Sequence, residues 1–81
     1  MPEVRLFGGL RDAVDGAELV QVEGTTIHEL LQNLGQEYPH MRGRIGQGIA
    51  IAIDGVIYRD DWEQPIPEGA EVGLLARISG G

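Results

Sequence analysis

Cysteine does not occur in the chain. Its absence removes disulfides, cysteine–zinc sites and cysteine nucleophiles. Of the two histidines, His28 falls in the first turn of a predicted helix and His40 follows Pro39 in a predicted loop. Neither has a histidine at i+3 or i+4, so zinc ligation has no support and both read as surface residues. Asp60-Asp61 with Glu63 bring carboxylates close in sequence. The neighbouring Trp62, Pro65 and Pro67 make an acidic turn the better reading than a metal site or an acid–base pair. Gly43, Gly46 and Gly48 share only composition with a phosphate loop: they precede a strand, whereas a phosphate cradle opens a helix. Ser79 is the only serine, and no base is placed to activate it.

The remaining candidate is the end of the chain, Ser79-Gly80-Gly81. A carboxylate is a poor acceptor because it is charged and resonance-stabilised. Adenylation would turn it into an acyl phosphate anhydride, open to attack by sulfide or an amine. Such a group must thread into another enzyme's nucleotide site. Two glycines suit a narrow channel, since neither carries a Cβ. The competing reading is a frayed end that happens to be glycine. A strand running directly into Gly80-Gly81 favours function.

Certain elements must position that end. Val4 and Leu6 alternate with Arg5 in a first strand closed by Phe7 and Gly8-Gly9. Leu10 to Asp15 reads as a polar connection ending in an Asp15-Gly16 turn. Leu19, Val20 and Val22 mark a second strand, able to pair with the first through a fairly long loop. Thr26-Ile27-His28-Glu29 fits a capping box, with the Thr26 hydroxyl accepting from the Glu29 amide and the Glu29 carboxylate reaching back to Thr26. Ile27, Leu30, Leu31, Leu34 and Tyr38 then share one helical face, and Pro39 stops the helix. Residues 39–48 are polar and glycine-rich and predict a loop. Ile49, Ile51 and Ile53 form a strand, Asp54-Gly55 a tight turn, and Val56-Ile57-Tyr58 its partner. Residues 60–69 predict an irregular connection, and no role is apparent for Tyr58 to Trp62. Val72, Leu74, Ala76 and Ile78 alternate along a last strand, and Leu75 makes that run nearly continuous, which predicts thorough burial. The order implies an α+β domain, a β-grasp with a mixed sheet of about five strands and one main covering helix. The last strand would lie beside the first in the middle of the sheet. Residues 1–78 form this domain and 79–81 a flexible Gly-Gly tail.

Composition agrees with a small carrier or binding module. An 81-residue chain makes one domain, with little room for a deep cleft besides its core. A formal charge of −7 argues against nucleic-acid binding and steers the molecule toward basic partner surfaces. No apolar run is long enough to span a bilayer, and no signal peptide is visible, so a cytoplasmic protein without membrane contact is expected. All six cations are arginine. Codon bias explains this, as does the benefit of lacking amines that would attack an activated terminus.

The sequence resembles the ubiquitin-like sulfur-carrier family, which includes the small subunit of molybdopterin synthase and the thiamin-pathway sulfur carrier. The resemblance covers nearly the whole chain. It rests on Val4-Arg5-Leu6-Phe7 with Leu10-Arg11, on Thr26 to Leu31, on Ile53-Asp54-Gly55, on Pro67 to Val72, and on Ile78-Ser79-Gly80-Gly81. The opening Leu-Phe-x-x-Leu-Arg favours the molybdopterin branch. The resemblance implies that Gly81 is adenylated by an enzyme of the ubiquitin-activating type and converted to a thiocarboxylate. Gly80 and Ser79 would enter the large subunit of molybdopterin synthase, where sulfur passes to a cyclic pyranopterin precursor. Phe7, Arg11, Leu75, Arg77 and Ile78 would contribute to partner interfaces, although ordinary packing explains Phe7 and Leu75 equally well. No metal or cofactor would be bound by the chain, and ATP would be used by the activating partner. The protein would be a non-catalytic, sulfur-carrying subunit. Ala76-Arg77 stand where many family members carry two prolines. Two alternatives therefore remain: a protein modifier or donor in another thiolation pathway using the same activated end, and a β-grasp binding module whose glycines are incidental.

Overall fold

The computed structural model describes residues 2–77. Strand β1 (Glu3–Leu6) is followed by a 3-10 helix (Gly8–Val14) and strand β2 (Leu19–Gln21). Helices α1 (Ile27–Glu37) and α2 (Pro39–Gln47) come next. Strands β3 (Ile49–Ile53), β4 (Val56–Tyr58) and β5 (Val72–Ala76) complete the order. The sheet is mixed, with five strands in the order β2-β1-β5-β3-β4. The last strand lies at the centre, parallel to β1 with Val4 opposite Val72 and Leu6 opposite Leu74. On its other side it runs antiparallel to β3, from Ile49 opposite Ala76 to Ile53 opposite Val72. This is the expected β-grasp.

One face of the sheet carries the core. Val4, Leu6, Val20, Ile49, Ile51, Ile53, Val72 and Leu74 point into it, and Ile27, Leu30, Leu31 and Leu34 of α1 close it from above. The alternation in each strand puts these residues on a single side. Asp54 and Gly55 both take positive φ, 49° and 85°, as the tight hairpin between β3 and β4 requires.

The start of α1 is satisfied residue by residue. Thr26 accepts from the Glu29 amide at 3.2 Å. The Glu29 carboxylate reaches the Thr25 amide, 2.9 Å away, one residue before the expected Thr26. The amides of Ile27 and His28 donate to the carbonyls of Gln64 and Trp62 at 3.1 and 2.8 Å. Tyr58 to Trp62 thus leads a strap of chain across the helix start, whose first amides have no partners within the helix.

Three expectations need correction. The polar stretch after Gly9 is a 3-10 helix that buries Leu10, Ala13 and Val14. Residues 39–47 form a helix and not a loop: Pro39 occupies its first turn, where a missing N–H costs nothing. Met41 is fully buried under it, and the Arg42 Nε donates to the Gly35 carbonyl at 3.0 Å. These tertiary contacts override the weak helix propensity of two glycines and a proline. Finally, β5 is not buried along its whole length: Leu75 is half-buried and Ala76 exposed, because the part of the second face where they stand has no covering layer among the described residues. No described helix is long and apolar enough to cross a membrane.

Glycine substitutions should separate by environment. A Cβ on Gly24 would lie 2.6 Å from the Leu30 Cα, so Gly24→Ala must push α1 off the sheet and is expected to cost about 1–3 kcal/mol or more. Gly43 and Gly46 are exposed in α2 with open space around the Cβ positions, so alanine at either is expected to stabilise by up to about 1 kcal/mol. Urea unfolding checks both signs.

Candidate functional site

The uncovered face of the sheet is built from the residues that alternate with the core. Arg5 and Leu19 are cross-strand partners on it, as are Ala52 and Ile57, and Ala50 and Leu75. Arg5 also stands opposite Gly73. Phe7, Leu19 and Ile57 keep 42%, 45% and 53% of their surface exposed, although each is large and apolar. Ala50, Ala52 and Gly73 line the middle of the face with small side chains or none, leaving shallow ground between the larger residues.

Phe7 is held onto this face by its backbone and by a glycine. Its amide donates to the Leu74 carbonyl at 3.2 Å, extending the β1–β5 ladder by one bond. Its ring edge lies 3.0 Å from where a Cβ on Gly73 would stand. The ring therefore rests on the backbone of β5, and Gly73 is the residue that permits it. Arg11 fixes the same corner: its Nε donates to the Leu6 carbonyl at 3.0 Å, and its guanidinium lies 3.8 Å from the Glu18 carboxylate. That ion pair is largely exposed and adds little. The Arg11 guanidinium is thus occupied in holding the turn that carries Phe7.

The face divides into two basins. One, of about 370 Å³, lies between Phe7, Arg5, Ala52 and Gly73, with Glu3 and Glu71 on its rim. The other, also about 370 Å³, is lined by Ala50, Ile57, Arg59, Leu75, Ala76 and Arg77. Here the Arg77 amide donates to the Gly48 carbonyl at 3.2 Å, and its aliphatic stem passes about 3.6 Å from the Cβ position of Gly48. Gly48 has φ 108°, a conformation that side chains avoid, so the stem lies across bare backbone.

The structure brings Phe7, Leu75 and Arg77 to this face and places Arg11 behind it. Ile78, Ser79, Gly80 and Gly81 lie outside the described residues. Sequence reasoning missed Ile57 and Arg59, which reach the second basin through the β3–β4 hairpin. The Asp54-Gly55 turn held the signal, since it fixes which residues of β4 share a side with Ala52 and Ala50. His28 contributes to a groove on the helical side with Leu31, Ile45 and Trp62, away from the open face. Among the described residues no group of three or more His, Asp or Glu side chains is placed to hold a metal ion.

The sequence matches the ThiS family over residues 4–81. Among solved structures, CysO of Mycobacterium tuberculosis, an antigen, superposes with a TM-score of 0.82 at 17% identity, over 96% of this chain and 100% of that one. This likeness speaks for the fold alone. Small archaeal modifier protein 1 of Methanosarcina acetivorans gives a TM-score of 0.78 at 26% identity, over 98% and 94% of the two chains. A chain from the complex of subunits 1 and 2 of molybdopterin-converting factor from Helicobacter pylori gives a TM-score of 0.67 at 26% identity, over 98% and 96%. No curated protein matches the sequence significantly.

The seat of Phe7 can be tested directly. Gly73→Ala is expected to lift the ring from β5 and cost about 1–3 kcal/mol through crowding, with the fold retained. Loss of the nuclear Overhauser contacts between the Phe7 ring and residue 73 would report the displacement.

Proposed function

Because the chain belongs to the ThiS family of ubiquitin-like sulfur carriers, we propose that Gly81 is its sulfur-bearing residue. The carboxylate of Gly81 attacks the α-phosphate of ATP in the site of an adenylating enzyme, and pyrophosphate leaves. Sulfide then attacks the acyl carbon and displaces AMP, which leaves a thiocarboxylate. ATP is consumed by the partner and the chain itself holds no cofactor. With no cysteine available, Gly81 is the natural place for the carried sulfur. Gly80 and Ser79 accompany it into the partner's channel.

One observation supports this reading above the others. The strand that leads to Gly81 is the central one, and it ends beside an uncovered face bearing Phe7, Ile57 and Leu75. A partner seated on that face has the approach to the terminus within reach. A binding module with incidental glycines would have no need to place its docking surface there.

The acceptor we propose is a pyranopterin, with the chain acting as the small subunit of molybdopterin synthase. Leu6-Phe7 with Leu10-Arg11 supports this, as does the likeness to the Helicobacter pylori complex at 26% identity. The equal identity to small archaeal modifier protein 1 favours a second reading, transfer of the same activated end to an amine of another protein.

Incubation with the host's adenylating enzyme, ATP and sulfide is expected to exchange one oxygen for sulfur, seen by intact mass. Deletion of Gly81 is expected to abolish the exchange and leave the thermal midpoint almost unchanged. An unmodified Gly81 with every such enzyme of the host would remove the carrier reading. Dithiolene formation from the pterin precursor selects the first acceptor, and Gly81-dependent conjugates of higher mass select the second.

A further inference from the structure

The second basin has a charge character opposite to that of the molecule. The chain carries −7 overall, yet the lining of this basin contains two arginines, Arg59 and Arg77, and no carboxylate among the described residues. The basin at the other end of the face carries both signs, with Arg5, Glu3 and Glu71 in its lining. Among the described residues the single ion pair is Arg11 with Glu18. Arg59 and Arg77 therefore have no described carboxylate within 4.0 Å, even though Asp60 and Asp61 follow Arg59 in sequence. The rest of the lining is apolar: exposed Ile57 and Ala76, half-buried Leu75, and buried Ala50 opposite Leu75.

Two planar cations flanking an apolar floor select a definite ligand chemistry. Guanidinium groups bind carboxylates through paired N–H donors, and an apolar side chain between the carboxylates covers Ile57 and Leu75. The screening length near physiological salt is about 8 Å, so a partner seated here feels these two arginines more than the distant acidic residues. The negative charge elsewhere then penalises the same acidic partner in any other orientation.

We infer that this basin docks a protein segment that presents a carboxylate to each of Arg59 and Arg77 with an apolar side chain between them. The acidic surface as a whole suits basic partners, and this end of the sheet takes the opposite kind. The inference rests on the carrier reading only for the identity of the partner, the adenylating protein. The chemistry of the site stands on its own residues.

Two measurements test it. In the first, labelled protein is titrated with a capped peptide of sequence ELLE at millimolar concentration, beside its counterpart KLLK. The acidic peptide is expected to shift the Ile57 and Leu75 methyl signals and the Arg59 and Arg77 Nε–H signals, and Arg59→Glu with Arg77→Glu to abolish those shifts. Equal response to both peptides, response elsewhere on the surface, or none overturns the inference. In the second, adenylation of the full chain is followed by pyrophosphate exchange. Arg59→Glu and Arg77→Glu are each expected to raise KM for the carrier roughly tenfold with kcat unchanged, and Arg→Lys at either position to recover much of the loss. The double variant Gln32→Glu with Gln36→Glu, which changes net charge by the same amount on α1, is expected to leave KM unaltered. A loaded chain whose KM ignores both arginine reversals, or rises equally in the α1 control, overturns the inference and leaves the carrier reading intact. A chain that binds the acidic peptide here but never gains sulfur does the reverse.

Discussion

The insertion of β5 between β1 and β3 is the pairing on which the rest of the molecule depends. Without it the chain would consist of two separate hairpins, β1 with β2 and β3 with β4, neither able to cover its apolar side. An isolated hairpin is at best marginal in water. Parallel pairing to β1 and antiparallel pairing to β3 supply β5 with partners on both edges. Val72 and Leu74 then join Val4, Leu6, Ile51 and Ile53 in one continuous apolar surface, wide enough for α1 to close.

The same insertion makes the two faces unequal. On the covered side, branched and long aliphatic residues meet the helices. On the open side, Ala50, Ala52 and Gly73 occupy the central strands, and larger apolar groups stand around them. Sheets of this kind ordinarily present polar residues to water on the uncovered side. Here Phe7, Leu19 and Ile57 remain exposed, and an apolar area on a small monomer marks an interaction surface. Gly73 links the two roles, because a residue without a side chain lets Phe7 lie against the strand that carries the chain toward its terminus.

Much of this was legible in the sequence where a local rule governs. Alternation located the strands, Asp54-Gly55 located the hairpin, and Thr26 with Glu29 located the helix start. The position of β5 beside β1 followed from the order of the elements and the β-grasp architecture it implies. Where long-range contacts decide, the sequence was silent or misleading. Nothing local reveals that Met41 is buried, and without that contact Pro39 to Gln47 looks like a loop. Nothing local shows that the carbonyls of Trp62 and Gln64 complete the start of α1. The open face is a product of register: Arg59 joins Arg77 in one basin only because β4 and β5 pair with opposite edges of β3. The terminal residues stood out by chemical elimination, whereas the surface beside them required the fold.

The central position of β5 also has a consequence for how the protein is made. Of the five described strands β1 is made first and β5 last, so their pairing closes a longer loop than any other in the sheet. Until Val72 to Ala76 emerges, β1 and β3 each present an open edge, the feature that native sheets take care to hide. A nascent chain interrupted before that point has no route to the native sheet and remains open to proteolysis. Completion of the fold thus waits on β5: a domain that reaches its native sheet has translated its central strand.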